Sequence, residues 1–416
     1  MRRLFPALLA VAALSACAMS KPNLISAKGV KRQDPQNPPV AETVRGLTAF
    51  GHSLFAIAAP ARANVVLSPL SITHAFGMAR AGATGDTAAE LDRVFGFPSG
   101  GPHVPLNALT RRIVTTDDPP PPPDPDERRD AQDGGPPRPP VVGIADGLFV
   151  QEGLSVKPDF LRTLAEQYGT GAHQVDFTGD ATEVIDAWAE ERTAGRITRV
   201  FDRLDPKTML VVADALYLKA EWATPFTDPP EENAVFTRAD GTTVRTTLMR
   251  RDGDVPYVEG PAWQAVELRY TGDELAMWVL VPRTGASPAD LLSPAVLAEV
   301  SSGLRARPVR LDLPRWDFST ALDLTEPLGT LGLRGSDYSG VIDGASLGQA
   351  VHRATVTVDE WGTEAAAVTG LAFPVMAMAP PEVRVRADRP FAFAIVHRPT
   401  LTPLFVGQVG DPASRG

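Results

Sequence analysis

Cysteine and histidine, which often act as nucleophiles, bases or metal ligands, are few in this 416-residue chain and widely separated. The single cysteine, Cys17, lies near the amino terminus, and the six histidines show no metal-ligand spacing. The sequence contains no nucleophile-elbow, zinc-protease, phosphate-loop or dinucleotide-binding motif. Serine, histidine and aspartate side chains could still converge in space, but no pattern favours it. We therefore expect a protein that is not an enzyme and that needs no metal and no cofactor.

The most informative stretch is residues 350–380, which joins a strand to a run of small residues. Residues 350–360 alternate and are rich in valine and threonine, which predicts a buried strand. After Gly362 one face of the chain is small and uncharged, whereas Glu364 lies on the other. Such a segment fits a loop in one state and a central strand in another, because small side chains enter a sheet with little repacking. The small face consists of Thr363, Ala365, Ala367 and Thr369.

Two motifs near the carboxy terminus resemble those of the serpin family. The pattern D-E-x-G-T-E-A-A-A-x-T, at residues 359–369, resembles the serpin hinge. The segment RPFAFAIVHRPTLTPLFVGQV, at residues 389–409, resembles the carboxy-terminal signature of the family. The resemblance covers nearly the whole chain from about residue 41 onward. The alternative for the hinge is an exposed alanine-rich helix or linker.

The resemblance implies an α+β protein with a serpin-like fold over residues 41–416. It implies three β-sheets, about eight or nine helices and an exposed reactive-centre loop over residues 360–380. It also implies a suicide inhibitor: a serine protease attacks the loop, forms an acyl-enzyme and is carried away as the cut loop enters the main sheet. The hinge residues so assigned are Glu360, Gly362, Thr363, Glu364, Ala365, Ala366, Ala367 and Thr369. Trp361 departs from the charged residue often found there.

The reactive bond can be placed by spacing. Family spacing counted from Gly362 places it between Met376 and Ala377. Counting back from the prolines at residues 380 and 381 allows Ala377 itself as the bait residue. These residues are uncharged, which favours a target with an apolar primary pocket, elastase-, chymotrypsin- or subtilisin-like, over a trypsin-like one. The alternative function is a non-inhibitory, serpin-like surface binding protein whose loop is cleaved or unused.

Two elements must position this hinge. Residues 208–226 are predicted to form a long central strand beside the gap that receives the loop. Trp222, near the end of that strand, matches the position where insertion starts in serpins. Residues 185–201 resemble the helix that crosses the front of the main sheet, with Ile185 and Trp188 facing the sheet.

Four further residues resemble the cluster beneath the middle of the serpin sheet. Ser68 and Ser71 open a helix there. At Asp214 the family usually has an asparagine that hydrogen-bonds to a histidine, which here is His352. A buried carboxylate is costly unless it is paired, so an Asp–His pair could make sheet opening pH-sensitive. Alternatively, Asp214 simply accepts the same hydrogen bond.

The amino terminus resembles a bacterial lipoprotein signal. Two arginines precede a short apolar run that ends in L-S-A-C at residues 14–17, which looks like a lipobox. We expect residues 1–16 to be removed, Cys17 to carry lipid, and residues 17–40 to form a flexible tether. The protein would then lie outside the cytoplasm, on the cell surface or in the periplasm, bound to membrane by its lipid only. The alternative is an ordinary signal peptide with a chance cysteine.

Composition and charge exclude a nucleic-acid surface. The net charge is -10, and the content of 44% hydrophobic and 22% charged residues is typical of a globular protein. Residues 115–140 are rich in proline and nearly free of apolar residues, which predicts a disordered insertion, or alternatively a partner-docking segment. Because this insertion is not basic, we expect no glycosaminoglycan cofactor. We expect a monomer.

Overall fold

Eight α-helices occur in the described part of the chain. In the computed structural model the described residues are 21–36, 38–59, 63–121, 138–283, 286–364 and 381–414. The helices are α1 (Val40–Ala58), α2 (Pro69–Arg80), α3 (Gly85–Phe95), α4 (His103–Ile113), α5 (Pro158–Thr163), α6 (Ala181–Arg192), α7 (Pro294–Gly303) and α8 (Thr325–Leu331). A π-helical turn, Leu164–Tyr168, follows α5, and a 3-10 helix, Pro288–Leu292, precedes α7. The expected number of helices is confirmed.

Sixteen strands form two hydrogen-bonded sheets in the same residues. They are β1 (Asn23–Ile25), β2 (Val65–Leu67), β3 (Val141–Gln151), β4 (Ala172–Val175), β5 (Leu210–Glu221), β6 (Asp228–Thr237), β7 (Thr243–Glu259), β8 (Trp263–Arg269), β9 (Leu275–Pro282), β10 (Arg305–Pro314), β11 (Trp316–Asp323), β12 (Leu347–Val358), β13 (Gly362–Thr363), β14 (Val383–Arg386), β15 (Phe391–His397) and β16 (Thr402–Val409). The described residues contain both helices and strands, and most strand pairings are antiparallel, so the α+β expectation is confirmed.

The seven-stranded sheet, called the main sheet below, has the order β1-β4-β3-β5-β13-β12-β11. Strands β5 and β12 are parallel, and their paired register ends where Ala215 lies opposite Arg353. Beyond these residues the short strand β13 lies between β5 and β12 and is antiparallel to both. At one end of the main sheet β5 and β12 pair directly, and at the other end β13 joins them. Between these two ends the register contains no pair that links β5 to β12.

The nine-stranded sheet has two parts that share β7. Strands β6 and β10 pair along most of β7, and β14 extends that part. Strand β8 joins only at residues 257–259 of β7 and leads through β9, β15 and β16 to β2. The three sheets expected from the sequence correspond to the main sheet and these two parts.

Both faces of the main sheet are covered by helices. Alternate residues of β5 show this arrangement, because successive side chains of a strand point to opposite faces. Leu210 and Val212 pack in the apolar cluster that contains α2, whereas Val211 and Ala213 pack in the cluster that contains α6. Burial on both faces explains why β5 is a nearly continuous apolar run rather than an alternating one.

Helix α6 crosses the front of the main sheet, as predicted, but it is shorter than expected. Ile185 and Trp188 are buried against the sheet, with exposures of 0% and 8%. The helix ends at Arg192, and the prediction that it continues toward residue 201 is wrong. Ala194 and Gly195 adopt left-handed backbone conformations, with φ of 51° and 79°, which stop a right-handed helix.

Residues 21–36 dock onto the domain, and the expectation of a flexible tether is wrong for them. Strand β1 pairs with β4 at the edge of the main sheet. Arg32 Nε donates to Asn107 Oδ1 at 2.9 Å, and Arg32 Nη2 donates to Thr110 Oγ1 at 2.7 Å. Both acceptors lie on α4. Local composition could not reveal this docking, because it depends on a sheet edge and on helix side chains far away in sequence.

Both ends of the proline-rich insertion are tied to the domain. The Thr115 N–H donates to the Val142 carbonyl at 2.9 Å. At the other end, Thr271 Oγ1 donates to the Arg138 carbonyl at 2.5 Å. The expected disorder over residues 115–140 is therefore wrong at the two ends. Residues 122–137 lie outside the described residues, and for them it stays a prediction.

Replacing Arg32 with alanine should lower the free energy of unfolding by about 1.5–3 kcal/mol, because hydrogen bonds from a half-buried charged group are lost. Urea denaturation monitored by circular dichroism measures this change. Lys31→Ala is the matched control, since Lys31 is exposed. Equal unfolding midpoints for Arg32→Ala and the wild type would show that the Arg32 hydrogen bonds add no stability.

Candidate functional site

A tight turn after β12 returns the predicted hinge to the main sheet. Asp359 shapes this turn, because its Oδ1 accepts from the N–H groups of Trp361 at 2.7 Å and Gly362 at 3.2 Å. The Asp359 N–H in turn donates to the Gly362 carbonyl at 3.1 Å. The chain reverses over these residues, so β13 runs back between β12 and β5.

Gly362 and Thr363 occupy the space between the ends of β5 and β12, which we call the hinge seat. On β5, Gly362 lies opposite Glu221, and Thr363 lies opposite Ala220. On β12, Thr363 lies opposite Val358. Both residues are thus already paired with β5, and Thr363 is also paired with β12. The expectation that the loop is exposed from residue 360 is wrong here, because the hinge seat is buried.

Glycine at position 362 is required by the close approach of two backbones. A Cβ atom built on Gly362 would lie 2.1 Å from the carbonyl oxygen of Ala220 and 2.9 Å from the Cα of Glu221. No side chain fits there unless β13 moves out of the hinge seat. The break that Gly362 makes in the sequence pattern marks this contact.

The Thr363 side chain points into the core beneath the hinge seat. Its Oγ1 lies 2.6 Å from the hydroxyl oxygen of Tyr270, whose ring stacks on Trp222 with centroids 4.5 Å apart. Trp222 also donates from Nε1 to the Asp359 carbonyl at 3.0 Å and from its N–H to the Trp361 carbonyl at 2.8 Å. Trp222, which the sequence placed at the start of insertion, therefore holds the turn that precedes the hinge strand.

Glu364 leaves the strand direction directly after the hinge seat. Its φ is 58°, and its N–H donates to the Thr357 carbonyl at 2.9 Å. Its side chain is buried, and Oε1 lies 3.1 Å from Arg196 Nε. Sequence reasoning placed Glu364 opposite the small face, but it did not foresee the Arg196 partner or the burial. The sequence signal that could have indicated this burial was a single charged residue within a run of small residues.

The four residues predicted beneath the middle of the sheet do come together. Asp214 Oδ2 lies 3.0 Å from His352 Nδ1, and Ser71 Oγ donates to Asp214 Oδ1. The Ser68 N–H donates to His352 Nε2 at 3.0 Å. Because Nε2 accepts this bond, the imidazole proton is on Nδ1 and is donated to Asp214. This geometry matches the alternative in which Asp214 accepts a hydrogen bond, and pH-sensitive opening stays a prediction.

A second buried carboxyl–histidine pair lies beside the first and was missed in the sequence. Asp146 on β3 is in register with Asp214 on β5, and its Oδ2 lies 2.8 Å from His74 Nδ1 on α2. Burial and the neighbouring Asp214 raise the pKa of Asp146 well above its usual range. Burial lowers the pKa of His74 to about 3. The neutral forms of both groups are therefore favoured at pH 7. The only sequence signal for this pair was an aspartate within an otherwise apolar strand.

Several predicted residues lie outside the described residues: Cys17, Ala365, Ala366, Ala367, Thr369, Met376 and Ala377. Within the described ranges no helix is long and apolar enough to cross a membrane. The same ranges contain no cluster of three or more His, Cys, Asp or Glu side chains suited to hold a metal.

A family model described as "Serpin (serine protease inhibitor)" matches residues 45–412. The chain belongs to the serpin family. Serpins are generally protease inhibitors and are not themselves enzymes. The expected serpin-like fold is confirmed by this match and by solved structures.

Relatives of this serpin cover most of its length. An uncharacterized serpin-like protein of Thermococcus kodakarensis is 31% identical over 382 residues, which is 89% of this chain and 85% of the relative. The leukocyte elastase inhibitor of Bos taurus is 31% identical over 372 residues, which is 84% of this chain and 93% of the relative. Tengpin, a thermophilic serpin solved in its native state, has a TM-score of 0.79 at 20% identity and covers 94% of this chain and all of its own.

Two buried carboxyl groups give the hinge seat of this serpin a pH dependence. Burial raises the pKa of Glu364 to about 7, although Arg196 and the Tyr217 side chain lower it. Burial also raises the pKa of Asp359 to about 7, while the N–H groups of Trp361 and Gly362 lower it. The folded state therefore holds these protons more tightly than the unfolded state does. Their stabilising effect is complete below the unfolded pKa values and is lost as pH rises through about 7.

The contribution of Glu364 can be isolated with Glu364→Gln, which cannot titrate. Between about pH 5 and about pH 8, the unfolding free energy of the wild type should fall by about 2–3 kcal/mol relative to that of this variant. Urea titrations at several pH values measure it. Glu382→Gln, at an exposed position, is the control and should show no such change. A pH-independent difference for Glu364→Gln would contradict the prediction.

Proposed function

We propose that this serpin is a suicide-substrate inhibitor that traps a serine protease by inserting its cut loop into the main sheet. The observation that carries the proposal is the pairing of Gly362 and Thr363 with β5 and of Thr363 with β12. The direct pairing of β5 with β12 ends at Ala215 and Arg353. A longer inserted strand would extend β13 from the hinge seat toward that point and add ladder hydrogen bonds on both sides.

The order of chemical steps follows from the acyl-enzyme. The protease serine attacks the carbonyl of the bait residue, and the bond to the next residue breaks, which leaves an ester to the protease and a new amino terminus. The strand on the hinge side is then free to enter the sheet. Insertion must be faster than hydrolysis of the ester, and a small inward face favours speed. That face is Thr363 followed in the sequence by Ala365, Ala367 and Thr369.

We assign the reactive bond to Met376–Ala377 and the target to proteases with an apolar primary pocket. The uncharged residues at this point of the sequence support the assignment. The Bos taurus relative is named as an inhibitor of leukocyte elastase, which is consistent with a target of this class. A trypsin-like target is disfavoured, since its pocket selects a positively charged residue.

Mixing the protein with elastase, subtilisin and trypsin should give complexes that survive SDS with the first two enzymes only. Denaturing gels and mass spectrometry of the released peptide measure complex formation and the position of the cut. When the loop is cleaved and no complex forms, the melting temperature of the cleaved protein should also rise sharply, because the inserted strand completes the sheet. Complexes with trypsin alone would overturn the assigned specificity.

Thr363→Arg separates inhibition from simple cleavage. Thr363 is already buried beside the Tyr270 hydroxyl, so an arginine there would displace β13 from the hinge seat and would also hinder entry of the longer strand. The loop should then be cut as a substrate and the protease released. Thr363→Ser is the matched control, because it keeps the hydroxyl, and it should still form complexes. If neither the wild type nor Thr363→Ser forms a complex, and cleavage leaves the melting temperature unchanged, the alternative of a non-inhibitory surface binding protein is correct.

We further propose that the protein is exported and anchored by a lipid on Cys17, so that it acts at the cell surface or in the periplasm. The L-S-A-C sequence at residues 14–17 supports this proposal. In a bacterial host, wild-type protein should incorporate labelled palmitate and sediment with membranes. Cys17→Ser should lose both properties. Equal labelling of the wild type and Cys17→Ser would contradict lipidation at this residue.

A further inference from the structure

The connection between α6 and β5, residues 193–209, lies across the front of the β5–β12 boundary. Ile197, Val200 and Phe201 of this connection are buried in the same apolar cluster as Ala213 of β5 and Val351 of β12. Both strands place these residues on the face of the main sheet that α6 covers. The connection therefore lies over the part of the sheet that the proposed inserted strand would enter.

Two contacts attach the connection to the strands beneath it. At the paired end, Arg353 of β12 donates to the Val200 carbonyl from Nε at 3.1 Å and from Nη2 at 2.8 Å. The Val200 N–H donates to Asp186 Oδ1 of α6 at 2.6 Å. At the hinge end, Arg196 Nε lies 3.1 Å from Glu364 Oε1. The connection is thus attached to β12 at one end and to the hinge itself at the other.

The Arg196–Glu364 ion pair is buried on the side of the acid. The Glu364 side chain is 5% exposed, and the Arg196 side chain is 33% exposed. Removing one partner of a buried pair costs much more than breaking a surface pair, because the remaining charge has neither its partner nor water. Arg196 therefore stabilises the ionised form of Glu364 in its buried position.

Several titratable and charged groups face the Glu364 carboxyl group. Burial raises the pKa of Glu364 to about 7, although Arg196 of the connection and Tyr217 and Lys219 of β5 lower it, while Asp317 of β11 raises it. An exposed glutamate has a pKa near about 4.3, so the buried position is favoured most when the group is neutral. In the turned conformation the neutral form dominates at about pH 6, and the ionised form dominates at about pH 8.

Glu364 must leave this position before the hinge strand can lengthen. Its φ is 58°, whereas a residue in an antiparallel strand has φ near about −140°. The bond from its N–H to the Thr357 carbonyl and its pair with Arg196 both belong to the turned conformation. An interaction that stabilises the starting state and is lost before the transition state slows a conformational step. The Arg196–Glu364 pair therefore opposes entry of the strand.

We propose that Arg196 is a positioning residue for inhibition: by retaining ionised Glu364 in the turned conformation, it slows entry of the cut loop and sets the fraction of protease that escapes. This inference rests on the proposed function. In the acyl-enzyme, entry of the loop competes with hydrolysis, in which water cleaves the ester, returns the serine hydroxyl to the protease and leaves a carboxylate on the bait residue. The stoichiometry of inhibition, which is the number of inhibitor molecules consumed per trapped protease, equals one plus the ratio of the hydrolysis rate to the insertion rate.

Titration of subtilisin with the full chain at about pH 8 and about pH 6 measures this stoichiometry, from residual protease activity and from the complex and cleaved bands on SDS gels. We expect a wild-type value above one at both pH values. Arg196→Gln should reduce the excess over one at least about fivefold at the higher pH, because ionised Glu364 then has no partner in the turned conformation. At the lower pH the two proteins should differ by less than about twofold, since Glu364 is mostly neutral there. Comparing proteins at the same pH removes the pH dependence of the protease itself.

Three further variants separate this role from a general effect on structure. Arg196→Lys restores a positive charge within reach of Glu364 and should return the excess at the higher pH to within about twofold of the wild type. Arg199→Gln removes an exposed arginine of the same connection, which pairs with Asp202, and should leave the stoichiometry unchanged. Glu364→Gln cannot ionise, so its stoichiometry at the higher pH should exceed that of the wild type. Adding Arg196→Gln to Glu364→Gln should have no further effect.

The possible failures can be told apart. A wild-type stoichiometry of one at both pH values, or equal values for Arg196→Gln and Arg199→Gln at the higher pH, would overturn the role of Arg196 and leave protease trapping intact. An equal reduction by Arg196→Gln at both pH values would show an effect that does not act through Glu364, and it would also overturn the inference. If Arg196→Gln does not fold, a Glu364→Gln value at the higher pH no greater than that of the wild type overturns it instead. Absence of any complex that survives SDS between the wild type and either elastase or subtilisin refutes the proposed inhibition, and this inference with it.

Discussion

The close approach of the Gly362 and Ala220 backbones is the contact on which the functional part of this serpin depends. It lets a two-residue strand fit between β5 and β12, where any side chain at position 362 would collide with a carbonyl oxygen. With β13 seated, β5 and β12 are separated at one end and directly paired at the other. The space between these two ends is the one that the proposed inserted strand would fill.

The buried groups beneath the sheet keep the paired end together. The Asp214–His352 pair joins β5 to β12, and the Ser68 N–H joins that pair to α2. Asp146 lies next to Asp214 and pairs with His74, so two carboxyl groups share one apolar interior. Burial and the neighbouring Asp214 raise the pKa of Asp146 well above its usual range, because like charges repel each other strongly in a low dielectric. An asparagine at position 214 would not impose this constraint on position 146.

Local patterns in the sequence were sufficient to predict the strand β12, the pivot at Gly362 and the buried face of α6. Each of these depends on a period or on a residue type within a few positions. The docking of residues 21–36, the burial of Glu364 and the Asp146–His74 pair could not be predicted in the same way. Their partners lie on other elements. Residues 21–36 have the composition of a linker, and their ordered structure depends on the pairing of β1 with β4. Helix α6 ends earlier than predicted; Gly195 is a residue type that often follows a helix end, whereas Ala194 gives no sign of its left-handed backbone.

Glu364 explains why the hinge is seated for two residues and no further. A residue in an inserted antiparallel strand has φ near about −140°, whereas Glu364 has φ of 58°. Its N–H bond to Thr357 and its ion pair with Arg196 both belong to the turned conformation. Extending β13 beyond Thr363 therefore requires this residue to rotate and to exchange both partners. The ordinary cost of a non-glycine residue in the left-handed region, about 1–3 kcal/mol, already favours that rotation. Burying the Glu364 carboxyl group costs less free energy when the group is protonated. The pH therefore affects the stability of the turned conformation.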